Sequence, residues 1–200
     1  MRNNLRKVGR GRALVSKSAA DGNTQKYGVD FDRIFSTVVK STTIRMVLII
    51  ACSKGWHLSA IDIAQAYLQA ELSEELYMMV PPLIPAYDTN GDKLVCKLNR
   101  SLYGLRQAGR EWNILLVKFI IEWGFLQSSV DVCLFTYKSG EDVIWILIYV
   151  DDIMVASSSQ PLRKRFVGDL SKRFPTEDRG PLKWILGISI DYSPGRIAMG

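Results

Sequence analysis

The spacing of apolar residues along the chain predicts three helices. The first is capped by Thr42 or Thr43 and stops before Gly55. The second covers about Glu111–Trp123, where apolar residues recur every three or four positions. The third is more polar and covers about Pro161–Phe174.

Between the helices, alternating or short apolar runs predict strands. In His57–Ile63 the side chains of Leu58, Ala60 and Asp62 fall on one face. The other predicted strands are Leu76–Val80, Leu94–Leu98, Val132–Tyr137, Asp142–Tyr149, Ile153–Ala156 and Leu182–Ile190. This order of elements predicts an α+β fold with an antiparallel sheet and helices on one face, similar to a split βαβ (ferredoxin-like) arrangement.

Two adjacent carboxylates, Asp151 and Asp152, interrupt the apolar run Trp145–Ala156. Like charges repel and burial disfavours both, and a divalent cation would remove this cost. A hairpin turn with two exposed aspartates explains the flanking residues equally well. Asp62 also lies inside an apolar strand. If the two strands are neighbours, three carboxylates converge, and such hard oxygen ligands suit magnesium ions that assist phosphoryl transfer.

Composition adds a preference for a polyanionic partner. The formal net charge is +6 and the isoelectric point is about 9.3. Basic residues are frequent in Met1–Gly28, although a solvated tail would have the same composition. Cys52, Cys96 and Cys133 show no metal-type spacing, which indicates reduced core residues in an intracellular protein. The apolar runs are too short to cross a bilayer, so no membrane partner is expected.

Several blocks, taken in order, resemble the copia-type retrotransposon reverse transcriptases from about Arg12 to the C-terminus. The blocks are Asp30–Val39, Thr42–Arg45, Asp62–Leu68, Glu75–Met78, Val95–Leu98, Ser101–Trp112, Tyr149–Asp152 and Leu182–Ile188. The Ser101–Trp112 block is the longest and most specific. The resemblance implies an RNA-directed DNA polymerase, with DNA-directed activity too. It also implies a polymerase palm with part of the fingers and no thumb.

The resemblance further implies roles for single residues. Asp62, Asp151 and Asp152 would be the catalytic ligands of two Mg²⁺ ions, for which Mn²⁺ could substitute. The backbone carbonyl of Ile63 would be a further metal ligand. Tyr67 would be an aromatic gate beneath the sugar of the incoming nucleotide. The remaining nucleotide-binding residues would be Arg12, Gln107, Ala108 and Gly109.

Each nucleotide-binding role has a structural alternative. Tyr67 could be an ordinary core aromatic residue. Gln107 could be a surface residue before a helix, and Arg12 could belong to a solvated basic tail. The main alternative for the whole chain is a decayed retroelement fragment. Such a fragment would be catalytically inactive and would only bind nucleic acid. Another two-metal palm enzyme, such as a nucleotide cyclase, is a third class.

The resemblance also implies a domain organisation and partners. The whole chain, 1–200, would be one reverse transcriptase domain, with 1–55 in the fingers, 56–82 in the palm, 83–110 at their junction and 111–200 in the palm. Its partners would be an RNA or DNA template with a primer, deoxynucleoside triphosphates, and the ribonuclease H and integrase regions of a parent polyprotein. The chain is expected to be a piece of that polyprotein, located in a cytoplasmic particle or the nucleus.

Overall fold

The computed structural model describes residues 6–7, 20, 22–34, 38–81, 84–193 and 195–200. Arg12 lies outside these residues. The chain divides into two compact units. The first combines the described residues of Met1–Phe35 with Tyr67–Trp112, and the second combines Ser36–Ala66 with Asn113–Gly200. None of the helices in the described part of the chain is long and apolar enough to span a membrane.

The fold is α+β, as predicted. The helices are α1 (Ser41–Lys54), α2 (Ala66–Gln69), α3 (Ala108–Trp123) and α4 (Gln160–Arg173), with a short 3-10 turn at Gly22–Thr24. The strands are β1 (Arg6–Lys7), β2 (His57–Ile63), β3 (Glu71–Met79), β4 (Leu94–Arg100), β5 (Leu126–Gln127), β6 (Leu134–Ser139), β7 (Asp142–Tyr149), β8 (Asp152–Ser157), β9 (Thr176–Pro181), β10 (Trp184–Ile185), β11 (Ile188–Ser193) and β12 (Arg196–Met199).

A six-stranded antiparallel sheet dominates the second unit and is called the central sheet. Its strand order is β5-β6-β7-β8-β2-β9. The inner strands β7 and β8 carry runs of consecutive buried apolar residues, Ile146–Ile148 and Ile153–Ala156. Because successive side chains of a strand point to opposite faces, such runs require cover on both faces of the sheet.

Helices cover both faces of the central sheet, so the prediction of helices on one face is wrong. α1 packs with Leu58 and Met154 in one apolar cluster. On the opposite face, the buried Arg163 of α4 donates a hydrogen bond from Nε to the Ser59 hydroxyl, at 2.6 Å. Since Leu58 and Ser59 are successive strand residues, α1 and α4 lie on opposite faces. The burial of both faces of β7 and β8 demands this arrangement.

An aromatic cluster fills the space around the end of α3. The ring of Trp123 packs at 4.8 Å from Tyr137, 5.2 Å from Phe125 and 5.4 Å from Phe166, measured between ring centroids. The pairs with Tyr137 and Phe166 are edge-to-face, and such pairs add to the free energy gained by burial. The cluster joins α3 and α4 to strand β6.

Two smaller sheets complete the fold. The first unit holds the order β1-β4-β3, and the second holds β10-β11-β12. The predicted single strand Leu182–Ile190 is wrong, because Leu186 and Gly187 both adopt positive φ values, 48° and 81°, and turn the chain into a hairpin. β3 also begins earlier than predicted, at Glu71.

The N-terminus of α1 is capped from another element, so the prediction of a Thr42 or Thr43 cap is wrong. Lys40 is the N-cap residue and makes no side-chain cap. Its backbone amide donates to the carboxylate of Asp131 at 3.0 Å, and the Cys133 amide donates to the same carboxylate at 3.0 Å. Asp131 is buried, and it therefore links α1 to the segment before β6.

Replacing Asp131 with Ala is expected to lower the free energy of unfolding by about 2 to 3 kcal/mol, because charged hydrogen bonds are lost and two amides lose their partner. Burial alone would raise the pKa of Asp131. Hydrogen bonds from Thr43, Cys133 and Lys40 outweigh burial and hold this pKa below its ordinary 3.8. The stabilisation is therefore present above pH 3.8 and is lost as the pH falls through the lowered pKa.

Urea unfolding at several pH values measures this effect. Asp142→Ala is the matched control, because Asp142 is exposed at the start of β7. An Asp131→Ala protein as stable as the control at neutral pH would contradict a capping role. So would a stability difference that persists unchanged at acidic pH.

Candidate active site

Two of the three predicted carboxylates are direct neighbours across the central sheet. Asp62 is the penultimate residue of β2 and pairs with Asp152, the first residue of β8. The alternation along β2 places Asp62 on the same face as Leu58 and Ala60, as predicted. The Asp62 side chain is 20% exposed and that of Asp152 is 47% exposed, so the pair lies at a partly buried sheet end.

The third carboxylate lies in the turn between β7 and β8. Tyr149 pairs with Asp152, which leaves Val150 and Asp151 as a two-residue loop. Val150 has a φ of 57°, a strained conformation for a β-branched residue. The Asp151 carbonyl accepts a hydrogen bond from the Ile63 amide at 3.0 Å, which ties the turn to the end of β2. The backbone thus holds all three aspartates at one end of the sheet.

A residue that the sequence analysis did not single out, Arg179, contacts this carboxylate pair. Its Nη2 lies 2.9 Å from Asp62 Oδ1, and its Nη1 lies 3.4 Å from Asp152 Oδ1. Burial raises the pKa of Asp152, and repulsion from Asp151 adds to this. Arg179 opposes the rise, while Asp62 adds a smaller contribution to it. A protein cation therefore bridges the carboxylate pair.

The donor chemistry of this cluster fits magnesium, since carboxylate oxygens are its preferred protein ligands. Asp62 and Asp152 are already adjacent, and the Coulomb repulsion within the cluster would be relieved by a divalent cation. Among the described residues, however, no group of three acidic, histidine or cysteine side chains is arranged closely enough to hold a metal ion. The Arg179 guanidinium already contacts two of the three carboxylates.

The predicted nucleotide-binding residues lie in the first unit or at its boundary. Tyr67 is half-buried in the first turn of α2, and its ring centroid lies 4.6 Å from that of Tyr103. Ala108 is buried and Gly109 is half-buried at the start of α3. These residues belong to one compact unit and the aspartates to the other, and the nucleotide-binding roles stay predictions.

Gln107 is fully buried, in contrast to the alternative of a surface residue. Its side-chain nitrogen donates to the Asp30 carbonyl at 2.9 Å, and its side-chain oxygen accepts from Gln25 at 3.0 Å. The neighbouring Arg106 donates from Nε to the Gly22 carbonyl at 2.8 Å. These side chains therefore connect residues 22–34 to the segment just before α3.

Comparison with known proteins identifies the family. The sequence profile of the family described as "Reverse transcriptase (RNA-dependent DNA polymerase)" matches residues 2–200.

The chain belongs to the reverse transcriptase family.

Its relatives are polyproteins of retrotransposons. The chain is 36% identical over 179 residues to the retrovirus-related Pol polyprotein from transposon RE1 of Arabidopsis thaliana, covering 90% of the chain and 12% of that protein. It is 40% identical over 171 residues to the Pol polyprotein from transposon TNT 1-94 of Nicotiana tabacum, covering 84% of the chain and 13% of that protein. The transposon Ty1-BL Gag-Pol polyprotein of Saccharomyces cerevisiae is 30% identical over 169 residues, or 80% of the chain and 9% of that protein.

These findings confirm the resemblance to copia-type retrotransposon reverse transcriptases. The chain spans about an eighth of the length of its plant relatives. No solved structure matches it significantly. The nucleotide cyclase hypothesis gains no support, because the matched profile covers nearly the whole chain and belongs to reverse transcriptases.

Sequence reasoning missed Arg179 as a residue that contacts the carboxylate pair. The segment that carries it was not predicted as a strand, because the Glu177–Pro181 stretch is polar and contains Gly180. A usable signal was present: an isolated glycine in an extended segment often marks a β-bulge. A bulge re-aims a side chain, and the side chain re-aimed here belongs to an arginine.

Proposed function

We propose that the chain catalyses RNA-directed DNA synthesis as the polymerase part of a retrotransposon Pol polyprotein. The observation that carries this proposal is the cross-strand pair of Asp62 and Asp152, with Asp151 in the turn beside it. Three carboxylates gathered at one end of the sheet repel one another, and divalent cations bound among them would relieve that repulsion. Family membership supplies the reaction class, and the carboxylate cluster supplies a site suited to it.

In this proposal Asp62, Asp151 and Asp152 hold two magnesium ions, with the Ile63 carbonyl as a further ligand. Ions held there would supply activation of the primer 3′-hydroxyl and neutralisation of charge on the reacting phosphates. The attacking group belongs to the primer, so no side chain of the chain serves as nucleophile. The protein contributes fixed positions, because the ladder between β2 and β8 orders the carboxylates before any substrate arrives.

The subdomain assignment is part of the same proposal. The central sheet, which bears the aspartates, corresponds to the palm, and the first unit corresponds to the fingers and their junction. Helix α1 was predicted in the fingers, but it packs in the same unit as β2 and contributes to the core of that unit. The substrates would be a primed RNA or DNA template and deoxynucleoside triphosphates.

Single-nucleotide addition to a labelled primer tests the function. With Mg²⁺ and an RNA template, the chain should add the nucleotide complementary to the template base. A chelator or a non-complementary nucleotide should prevent addition. One added nucleotide is a sufficient readout, because it reports both the chemical step and its dependence on the template base without requiring repeated addition. Primer–template binding without any metal-dependent addition would favour the inactive nucleic-acid-binding alternative and would contradict the proposal.

A further inference from the structure

The guanidinium of Arg179 bridges the two paired carboxylates. Its two terminal nitrogens reach Asp62 Oδ1 at 2.9 Å and Asp152 Oδ1 at 3.4 Å. The Arg179 side chain is 50% exposed, so the guanidinium lies at the open side of the cluster and has room to leave. The arrangement satisfies carboxylate oxygens that would otherwise face each other with like charge.

A β-bulge in β9 directs Arg179 toward the aspartates. Along β2, Ala60 pairs with Gly180 and Ile61 pairs with Asp178, so Arg179 is the extra residue between these pairs. Gly180 has a φ of 71°, which permits the local kink. Without the bulge, Arg179 would occupy an ordinary ladder position and its direction would follow the alternation of the strand.

The bulge is held in place by Asp178, the residue before Arg179. The Asp178 carboxylate accepts a hydrogen bond from the Gly180 amide at 3.0 Å. The same carboxylate forms an ion pair with Arg163, whose side chain is buried on α4. These contacts set the backbone position of Arg179, and its long side chain stays free to move.

We propose that Arg179 is an internal counter-ion that competes with divalent metal for Asp62 and Asp152. This inference rests on the proposed function, in which these carboxylates bind magnesium. Arg179 stabilises the metal-free protein, and it must withdraw from at least one carboxylate when metal enters. Metal binding at this site thus replaces one cation with another. The affinity of the site for metal is therefore lower than it would be if Arg179 did not contact the carboxylates.

Direct titration of metal binding tests the exchange without any measurement of catalysis. Mn²⁺ is added to the 200-residue chain, and the free ion is measured by electron paramagnetic resonance. Arg179→Gln should bind Mn²⁺ about tenfold more tightly, which corresponds to the loss of a modest competing attraction. In a chelator, the same variant should melt at a lower temperature than the unaltered chain.

Two further variants sharpen the result. Arg179→Lys keeps the charge and loses the planar fork, so its metal affinity should fall between those of the Gln variant and the unaltered chain. Arg196→Gln is the matched control, because it removes an exposed arginine of β12 in the same unit and should change neither property. Equal or weaker Mn²⁺ binding by Arg179→Gln would overturn the counter-ion role.

The same titration separates this inference from the proposed function. If the unaltered chain binds Mn²⁺ and Asp62→Asn abolishes the binding, the metal site stands. An unchanged affinity in Arg179→Gln then refutes the counter-ion role alone. If the unaltered chain and Asp62→Asn bind Mn²⁺ equally, the metal site of the proposed function fails, and the counter-ion inference fails with it.

Discussion

Replacing Asp151 with Asn should lower the rate of metal-dependent nucleotide addition by a factor on the order of 1,000 while leaving the fold intact. The substitution keeps the size of the side chain and removes one anionic ligand, and the loss of one preorganised electrostatic group commonly costs this much in rate. Its effect on stability should be neutral or favourable, because repulsion between Asp151 and Asp152 disappears.

Single-turnover nucleotide addition and thermal unfolding measure the two halves of this prediction. Asp142→Asn is the matched control, because it makes the same chemical change at the exposed opposite end of β7. A near-normal rate of nucleotide addition by Asp151→Asn would contradict the role of Asp151 as a metal ligand. A large loss of stability would show instead that the carboxylate has a structural role in the turn.

Replacing Tyr67 with Val should raise the incorporation of ribonucleotides relative to deoxyribonucleotides by roughly 100-fold. The family resemblance implies that the Tyr67 ring fills the space that a ribose 2′-hydroxyl would need, and exclusion by packing reaches about this strength. The ring is half-buried and packs against Tyr103 at 4.6 Å between centroids, which limits its movement. Val removes the ring and leaves the space open.

Tyr67→Phe is the matched control, because it keeps the ring and removes only the phenolic hydroxyl. Its discrimination should stay close to that of the unaltered chain. The measurement is the ratio of incorporation efficiencies for matched ribo- and deoxyribonucleotides, which reports differential binding of the transition state. An unchanged ratio in Tyr67→Val would contradict the gate role. Tyr67 would then only pack against Tyr103.

Local patterns were sufficient to predict the elements that position the aspartates. The apolar runs on both sides of Asp151 and Asp152 predict β7 and β8, and the alternation in His57–Ile63 predicts β2. The pairing of Asp62 with Asp152 was expected only on the condition that these strands are neighbours. That condition depends on the order of strands in the sheet, which no local pattern contains.

The errors arose where distant contacts override local preference. Thr42 and Thr43 are good capping residues, but the buried Asp131 accepts the Lys40 amide and moves the helix start to Ser41. The alternative of a surface Gln107 is wrong because its side chain bonds to Gln25 and Asp30, far away in sequence. The direction of Arg179 likewise depends on a bulge, and a bulge exists only relative to a partner strand.

The bulge in β9 also bears on aggregation. β9 is an edge strand of the central sheet, and edge strands offer unpaired backbone groups to other chains. The extra residue, the charged stretch Glu177–Arg179 and Pro181 make this edge a poor template for a foreign strand. Substitutions at position 179 would keep that protection. Deletion of the residue would straighten β9 and leave a regular edge, open to self-association during folding.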